Sequence, residues 1–243
     1  MEYILSDLFN TANIVLPNIE EMIEDAKKKN TNVLKIYCKY KFPDSKVRRL
    51  YIMSPYIPLD ASGKKNDDIK FYAKLSDPKL YAFTQTLNSY NSYASTSLEL
   101  LIEKHSLTCI NILGNFNIAN NNPRLKLNFI KKAKTPDLYT TEIIKYNVGK
   151  AYQPIEIYKE YTLSDLLTSI YGWDSRKNKP RIDDKRESRF IFSPYIWISL
   201  KDKTFGFSIK VLKLEVRFND ARVRSIIDRT EVTMTQVVKS IEI

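Results

Sequence analysis

Two short segments of the chain alternate strictly between apolar and polar residues, and this alternation restricts the fold more than any other feature. A two-residue period places successive side chains on opposite faces of a β-strand, so each segment predicts a half-buried strand. The outward positions repeat the order lysine, tyrosine, lysine: Lys35, Tyr37 and Lys39 in residues 33–40, and Lys70, Tyr72 and Lys74 in residues 69–75. The pattern predicts sheet surfaces that combine cations with aromatic rings. A solvated face whose tyrosines only cover aliphatic surface is the alternative.

The charge of the chain points to a polyanionic partner. Its 243 residues include 39 Lys and Arg against 28 Asp and Glu, which gives a formal net charge of +11 at pH 7. Such an excess attracts polyanions, and the 16 Tyr and 11 Phe supply faces on which bases stack. The two excesses together favour nucleic acid as the partner. An AT-rich genome would explain the composition but not the positions of these residues.

Further cations and aromatic residues fall on or near other predicted strands. Residues 47–53 predict a strand, and residues 190–200 and 204–218 predict a hairpin. The polar residues 175–189 predict an exposed basic loop, although a solvated surface would have the same composition. The candidate contacts in these segments are Arg48, Arg49, Tyr56, Arg176, Lys177, Lys179, Arg181, Lys185, Arg186, Tyr195, Trp197 and Phe205.

Helices are predicted around these strands. The first spans residues 19–29 and is capped by Asn18, the second starts at Asp77-Pro78, and others cover residues 97–105 and follow Thr162. We expect one nucleic-acid-binding domain over residues 1–243, with residues 1–31 as an N-terminal helical extension. None of the predicted helices carries the Arg, Asn and Gln face of a duplex-reading helix, so single strands are favoured over duplexes.

Signals for catalysis are few. The only histidine, His105, lies on the apolar stripe of a predicted helix, and no glycine-rich phosphate loop occurs. Paired acids at Asp67-Asp68 and Asp183-Asp184 are the nearest approach to a two-metal nuclease, but their spacing does not indicate convergence on a cation. We expect a protein that is not an enzyme and that requires no cofactor or metal.

The cysteines and the apolar runs bear on the compartment. Cys38 and Cys109 lie far apart inside apolar segments, which predicts two reduced core residues. The first residues show no signal-peptide pattern, and no stretch approaches the ~20 apolar residues of a membrane span. We expect a soluble cytoplasmic protein with no membrane partner.

Several motifs occur in a characteristic order: Tyr51-Ile52-Met53, Phe71-Tyr72-Ala73-Lys74, Pro78-Lys79-Leu80-Tyr81, Ser193-Pro194 and Val211-Leu212-Lys213-Leu214-Glu215-Val216. In this order the chain resembles the replicative single-stranded DNA-binding proteins of poxviruses and related large cytoplasmic DNA viruses, over roughly residues 33–87 and 190–218. Virus-like linear plasmids would fit equally well. The resemblance implies an elaborated OB-fold, binding at replication sites in the host cytoplasm, self-association along the strand and contacts with replication proteins. The acidic C-terminal tail of some relatives is missing, which puts tail-mediated recruitment in doubt.

These observations predict an α+β fold, with an OB-type five-stranded β-barrel elaborated by peripheral helices. The expected function is sequence-independent single-stranded DNA binding in DNA replication. A basic viral structural or assembly protein that contacts packaged nucleic acid is one alternative. A nucleic-acid-processing enzyme such as a nuclease is the other.

Overall fold

The computed structural model of the protein describes residues 2–62, 70–114, 123–132, 135–146, 157–162, 173–174, 179–180 and 186–218, and in them the fold is α+β with far more sheet than helix. Two α-helices occur in this part, α1 (Ile19–Lys28) and α2 (Tyr81–His105). The strands, numbered β1 to β17 in chain order, are Ile4–Leu5, Ile14–Val15, Val33–Tyr37, Lys39–Lys41, Val47–Arg49, Ile52–Met53, Ile57–Ser62, Lys70–Lys74, Thr108–Asn111, Arg124–Leu127, Ile130–Lys132, Thr135–Tyr146, Ile157–Thr162, Trp173–Asp174, Lys179–Pro180, Arg186–Ser199 and Thr204–Phe218.

A long antiparallel hairpin of β16 and β17 runs through the main sheet. Its ladder extends from the Arg186–Phe218 pair to the Ser199–Thr204 pair, so the predicted hairpin is confirmed. The edge of β16 that faces away from β17 pairs in turn with β7, β6 and β3, all antiparallel. The edge of β17 that faces away from β16 pairs with β9 and β12, both parallel. Strands distant in sequence are therefore joined through this one hairpin.

Pro194 lies in β16 where the neighbouring strand changes. Strand β6 pairs with Ile191 and Phe192, and β3 takes over from Tyr195. No described strand pairs with residues 193–194 on that edge. A proline has no N–H to donate, so it is tolerated at this gap in the ladder.

A β-bulge in β17 shifts which side chains point inward. Phe192 pairs with Val211, but the preceding Ile191 pairs with Lys213, so Leu212 is the extra residue. Before the bulge Val211 is buried, and after it Leu214 is buried in place of Lys213. The uninterrupted alternation that predicted Lys213 on the same face as Val211 is therefore wrong, because a bulge moves the following residues by one position.

Helix α2 covers the inner face of the hairpin. The ring of Phe83 meets those of Phe190 and Phe192 edge-on, with centroids 6.4 and 6.1 Å apart. Tyr90 meets Phe207 in the same way at 6.2 Å. Two separate helices were expected here, but the apolar positions continue with helical spacing through the middle of the segment, so one helix forms. Asp77 caps the short 3₁₀ turn that precedes it by accepting the Lys79 N–H.

The N-terminal segment contributes to the body of the fold. Helix α1 begins after Asn18, whose side chain accepts the Glu21 N–H, and its Ile19, Ile23 and Ala26 are buried. Strand β1 pairs with β6, and β2 forms a small sheet with β4 and β5. Residues 1–31 were expected to be a helical extension. The described part of that segment also supplies two strands, and its buried residues belong to the same core as α2 and the hairpin.

Strands β7, β8 and β10 form an antiparallel meander beside β16. Their inner side chains join the core, where Phe71 meets Phe129 edge-on at 5.5 Å. The far edge of the meander meets β17 through one bridge, between Phe129 and Val211, and through the Val211 N–H donated to the Asn128 carbonyl at 2.9 Å. The described strands therefore do not form the continuous ladder of a closed barrel.

The two cysteines differ in their surroundings. Cys38 is buried and its sulfur lies 3.2 Å from the Tyr90 hydroxyl, as expected for a core residue. Burial raises the pKa of the Cys38 thiol to about 11. Cys109 was also expected in the core, but it is exposed, as are the other residues of β9. Neither described helix has the length and apolar character needed to cross a membrane.

The register of β8 yields a stability test. Phe71 is 1% exposed in the core, whereas Tyr72 is half-buried on the outer face, as the alternation predicted. We expect Phe71→Ala to lower the free energy of unfolding by about 3–5 kcal/mol, because it empties a core site. The matched variant Tyr72→Ala should lose about 1 kcal/mol or less. Urea denaturation followed by circular dichroism measures both. A larger loss at Tyr72 would mean that the strand is out of register by one residue.

Candidate nucleic-acid interface

The outer face of three neighbouring strands carries rings and cations at matching heights. Strand β16 lies in the middle, with β3 on one edge and β17 on the other. One row across the three strands is Lys35, Trp197 and Gly206, and the next is Tyr37, Tyr195 and Ser208. Side chains one strand apart on the same face are in contact distance, so the rows form one surface. This outer face is the side of the hairpin opposite to α2.

Arg49 is held flat against this surface. Its guanidinium carbon lies 3.6 Å from the centroid of the Tyr37 ring, and its Nε donates to the Ser193 hydroxyl at 3.2 Å. The Tyr37 ring is in turn 5.2 Å from the Tyr195 ring. A cation stacked on an aromatic face gains about 0.5–1 kcal/mol at an exposed site. The strand β5 thus delivers a positioned arginine beside two tyrosines.

Three cations converge next to these tyrosines. Lys210 pairs across the hairpin with Ser193, the residue that accepts the hydrogen bond from Arg49. Burial lowers the pKa of Lys210, and the charges of Arg49 and Lys35 lower it further. The smaller contributions of Arg49 and Lys35 show that their charges lie close enough to repel that of Lys210, and such a group of cations attracts an anion. The sequence patterns had indicated Lys35 and Arg49 but not Lys210.

Trp197 lies across Gly206 on the neighbouring strand. A Cβ atom placed on Gly206 would come within 2.8 Å of the indole Cζ2 and 3.0 Å of the Asn111 carbonyl oxygen. Cβ contacts under 3 Å are not tolerated, so only glycine allows the indole to lie this close to the neighbouring strand. A glycine in a strand interior often marks such a close approach. The indole is half-buried, so part of it faces solvent.

A cleft of about 780 Å³ opens over this surface. One side of it is the sheet of β3, β16 and β17, and the other side is the meander strands β8 and β10 with the turn after β9. Its lining residues are Val33, Lys35, Tyr72, Asn111, Ile112, Leu113, Gly114, Arg124, Leu125, Lys126, Asn128, Tyr195, Trp197, Phe207 and Ser208. None of these described lining residues is acidic, and none belongs to an α-helix.

The meander supplies a tyrosine and two cations to the cleft. Tyr72 pairs with Lys126 across β8 and β10, and the Arg124 guanidinium carbon lies 6.0 Å from the Tyr72 ring centroid. Leu125 and Leu127 point inward between them. Arg124 and Lys126 were missing from the predicted contacts. The Arg-Leu-Lys-Leu alternation of residues 124–127 was the signal that would have identified them.

A buried asparagine fixes the turn at one end of the cleft. The Asn91 amide donates to the Leu113 carbonyl at 3.0 Å and accepts the Leu113 N–H at 3.1 Å. Both backbone groups of one turn residue are therefore satisfied by one side chain from α2. Leaving these two backbone groups unpaired would cost about 1–3 kcal/mol each. The hydrogen bonds from Asn91 therefore fix the turn that lines this end of the cleft to α2.

A second pairing of cation and ring lies further along β16. The Arg189 guanidinium carbon is 4.8 Å from the centroid of the Tyr56 ring. Arg189 and Trp197 are eight residues apart in one strand, which separates them by ~26 Å at ~3.3 Å per residue. The side chains between them on the same face are those of Ile191, Ser193 and Tyr195, of which Ile191 and Ser193 are buried. A cation and an aromatic ring therefore occur together at two places on one face of β16, near Arg189 and near Tyr195.

Other predicted contacts lie elsewhere. Arg48 points away from Arg49 and forms ion pairs with Glu2 and with Asp44, so its charge is already compensated. Lys39 is exposed on the small sheet, and Lys74 is half-buried on β8. Lys70, Lys179 and Arg186 lie in strands, whereas Arg176, Lys177, Arg181 and Lys185 are outside the described residues, as are the acid pairs at residues 67–68 and 183–184.

Two sequence predictions about this region are corrected. Phe205 was expected to stack on a base, but it is 2% exposed and meets Phe207 edge-on at 5.9 Å in the core. It points inward because it shares its strand face with Phe207 and Ile209. The basic segment 175–189 was expected to be a loop, yet residues 179–180 and 186–189 are strand. Ladder pairing of residues 186–189 with β17 overrides their polar composition.

No protein-family model matches the chain, and no curated protein sequence matches it.

The contact of Trp197 with Gly206 gives a test of the surface geometry. In a Trp173→Phe background, which leaves Trp197 as the single tryptophan, Gly206→Ala should push the indole off the sheet. We expect greater quenching of its fluorescence by acrylamide and a loss of about 1–3 kcal/mol in stability from overpacking. Ser208→Ala, on the same strand and face, is the control and should leave quenching unchanged. Equal quenching in all three proteins would contradict the close approach of the indole to Gly206.

Proposed function

We propose that the protein binds single-stranded DNA through the cleft and the row of rings and cations along β16, without catalysing a reaction on it. The observation that carries the proposal is the joint presence in one cleft of Tyr72, Trp197, Lys35 and Arg124. Proteins that bind single strands combine a cationic groove with aromatic platforms for the bases. Both components line the same cleft here.

The shape of the cleft favours a single strand over a duplex. Major-groove readers insert a helix or a two-stranded ribbon into the duplex. Here α2 packs on the opposite face of the hairpin, and the described lining of the cleft consists of strands and a turn. The rings of Tyr72, Tyr195 and Trp197 line this cleft and would be available to unstacked bases, which a duplex does not offer.

We further propose that β7, β8, β10, β17 and β16 are an opened barrel of the OB type. The meander of β7, β8 and β10, the pairing of β7 with β16 and the β16–β17 hairpin support this reading. The remaining junction, between β10 and β17, consists of the Phe129–Val211 bridge. OB-folds are partly open barrels that bind oligonucleotides on the face of their second and third strands. Those strands would be β8 and β10, which carry Tyr72, Arg124 and Lys126.

A role in DNA replication in the host cytoplasm is part of the proposal. It rests on the resemblance to the replicative single-stranded DNA-binding proteins of large cytoplasmic DNA viruses. Two of the segments that carry that resemblance, residues 71–74 and 211–216, fall in β8 and β17, next to the cleft or in the hairpin beneath it. Self-association along the strand and contacts with replication proteins belong to the same proposal.

Binding to defined oligonucleotides tests the function. Fluorescence anisotropy should show tighter binding to oligo-dT than to a duplex of equal length, and Mg²⁺ should produce no cleavage of either. Preference for the duplex would favour a packaging or assembly role. Cleavage that depends on Mg²⁺ would favour a nuclease.

Arg48 and Arg49 are adjacent and point to opposite faces, so they provide a matched pair of variants to test the contribution of charge to binding. We expect Arg49→Gln to weaken single-strand binding and to reduce the slope of log affinity against log salt by ~0.7, the value for one phosphate contact on a single strand. Arg48→Gln should change neither quantity, because Arg48 is paired with Asp44 at 2.7 Å and faces away from the cleft. Equal effects of the two variants in salt titrations would rule out a localised phosphate path.

Stacking is tested at Tyr72. Tyr72→Ala should cost ~1–3 kcal/mol in binding to oligo-dT, because a stacked base loses its platform. Tyr72→Phe keeps the ring and should restore most of the affinity. Tyr81→Ala is the control, since Tyr81 is 68% exposed on α2, away from the cleft. Anisotropy titrations in which the Tyr72 and Tyr81 variants weaken binding equally would exclude a specific stacking role.

A further inference from the structure

We propose that Arg49 and Lys210, with Lys35 nearby, form a binding site for one phosphate group next to Ser193. The site lies beside the cleft, because of these residues only Lys35 lines the cleft. A phosphate site does not by itself require a nucleic acid. Its assignment to a backbone phosphate of a single strand rests on the proposed function.

Ser193 is the residue at which the two principal cations meet. Its hydroxyl accepts the hydrogen bond from Arg49 Nε at 3.2 Å, and it pairs directly with Lys210 across the hairpin. Directly paired residues of antiparallel strands point to the same face, with Cβ atoms about 4.5–5.5 Å apart. Arg49 from β5 and Lys210 from β17 are therefore brought to one position on the outer face of β16.

The contacts that hold Arg49 leave its terminal nitrogens available. The guanidinium carbon lies 3.6 Å from the centroid of the Tyr37 ring and 5.6 Å from that of Tyr51, and Nε is bonded to Ser193. Within the described part of the chain, the two terminal nitrogens have no hydrogen-bond or ion-pair partner. A guanidinium held in this way can donate two parallel N–H groups to the oxygens of a phosphate.

No acid compensates these cations among the residues that the structure describes. Lys35, Arg49 and Lys210 form no ion pair there, whereas the neighbouring Arg48 has two acidic partners. Arg49 and Lys210 are half-buried. Burial lowers the pKa of Lys210, and the charges of Arg49 and Lys35 lower it further. Because partly desolvated cations without a counter-ion are costly, an anion bound between them would stabilise the folded protein.

The number of donors and the position of the site favour a phosphate group. A carboxylate offers two oxygens, which the guanidinium of Arg49 alone would occupy, whereas a phosphate has further oxygens for Lys210. The Tyr37 ring that carries Arg49 is 5.2 Å from the ring of Tyr195, which lines the cleft. A strand with a base at Tyr195 would therefore have a phosphate close to this site.

Inorganic phosphate is the probe for the site. Chloride is replaced by phosphate at constant ionic strength and pH, and the thermal midpoint is followed by circular dichroism. Phosphate stabilises proteins in general because it is excluded from their surfaces, so the comparison of variants carries the test. We expect the wild type and Lys201→Gln, which removes an exposed lysine from the hairpin turn, to gain equally, and Lys210→Gln to gain less. Lys210→Gln should fold, because it removes a half-buried charge that two like charges oppose.

Binding of oligo-dT under the same exchange identifies the source of the phosphate group. If the site holds a strand phosphate, the exchange should weaken binding by the wild type at least about threefold, as expected for the loss of about one exposed ion-pair contact. Binding by Lys210→Gln should be unaffected. Phosphate-specific stabilisation without competition would assign the site to a free phosphate compound.

Two outcomes separate this inference from the proposed function. Equal thermal gains in all three proteins, with oligo-dT still bound, overturn the phosphate site and leave the proposed function standing. A smaller gain in Lys210→Gln alone, with no binding of any single strand, overturns the proposed function and leaves the phosphate site standing.

Discussion

The pairing of β16 with β17 determines both the core and the candidate site. Since side chains alternate across a ladder, one register sends Phe192 and Phe207 to the face under α2 and leaves Tyr195 and Trp197 on the opposite face. A slip of one residue would bury the platform and expose the core. Burial of the hydrophobic face therefore fixes the register, and the register in turn determines on which face Tyr195 and Trp197 lie.

The electrostatics of the outer face oppose its stability. Burial is the main cause that lowers the pKa of Lys210, and the charges of Arg49 and Lys35 lower it further because like charges repel. The ring of Tyr37 and the hydroxyl of Ser193 offset part of this repulsion at Arg49. A phosphate placed among the three cations would relieve the remainder. Arg48 differs from these three cations, because Glu2 and Asp44 already compensate its charge and a bound anion would add little.

The local periodicity of the sequence was sufficient to predict much of the fold but only part of the candidate site. The alternation in residues 33–40 and 69–75 was sufficient to assign the outward faces of Tyr37 and Tyr72, and the capped amphipathic pattern located α1. Other features depend on pairing between distant strands. The bulge at Leu212 and the inward placement of Phe205 are set by how β17 meets β16 and α2, which no local pattern reveals. Partners that the fold brings together, such as Lys210 beside Arg49, are likewise invisible to periodicity.

The cleft is lined by both the meander and the hairpin, which are connected at two places. They are joined where β7 pairs with β16, and again at the Phe129–Val211 bridge. Between these two junctions, Tyr72 and Arg124 of the meander and Trp197 of the hairpin line the same space. A fully laddered barrel would bring the β10 edge against β17 and close that space. If the cleft binds a single strand as proposed, rings from the two arms would reach the same ligand only while this junction stays incomplete.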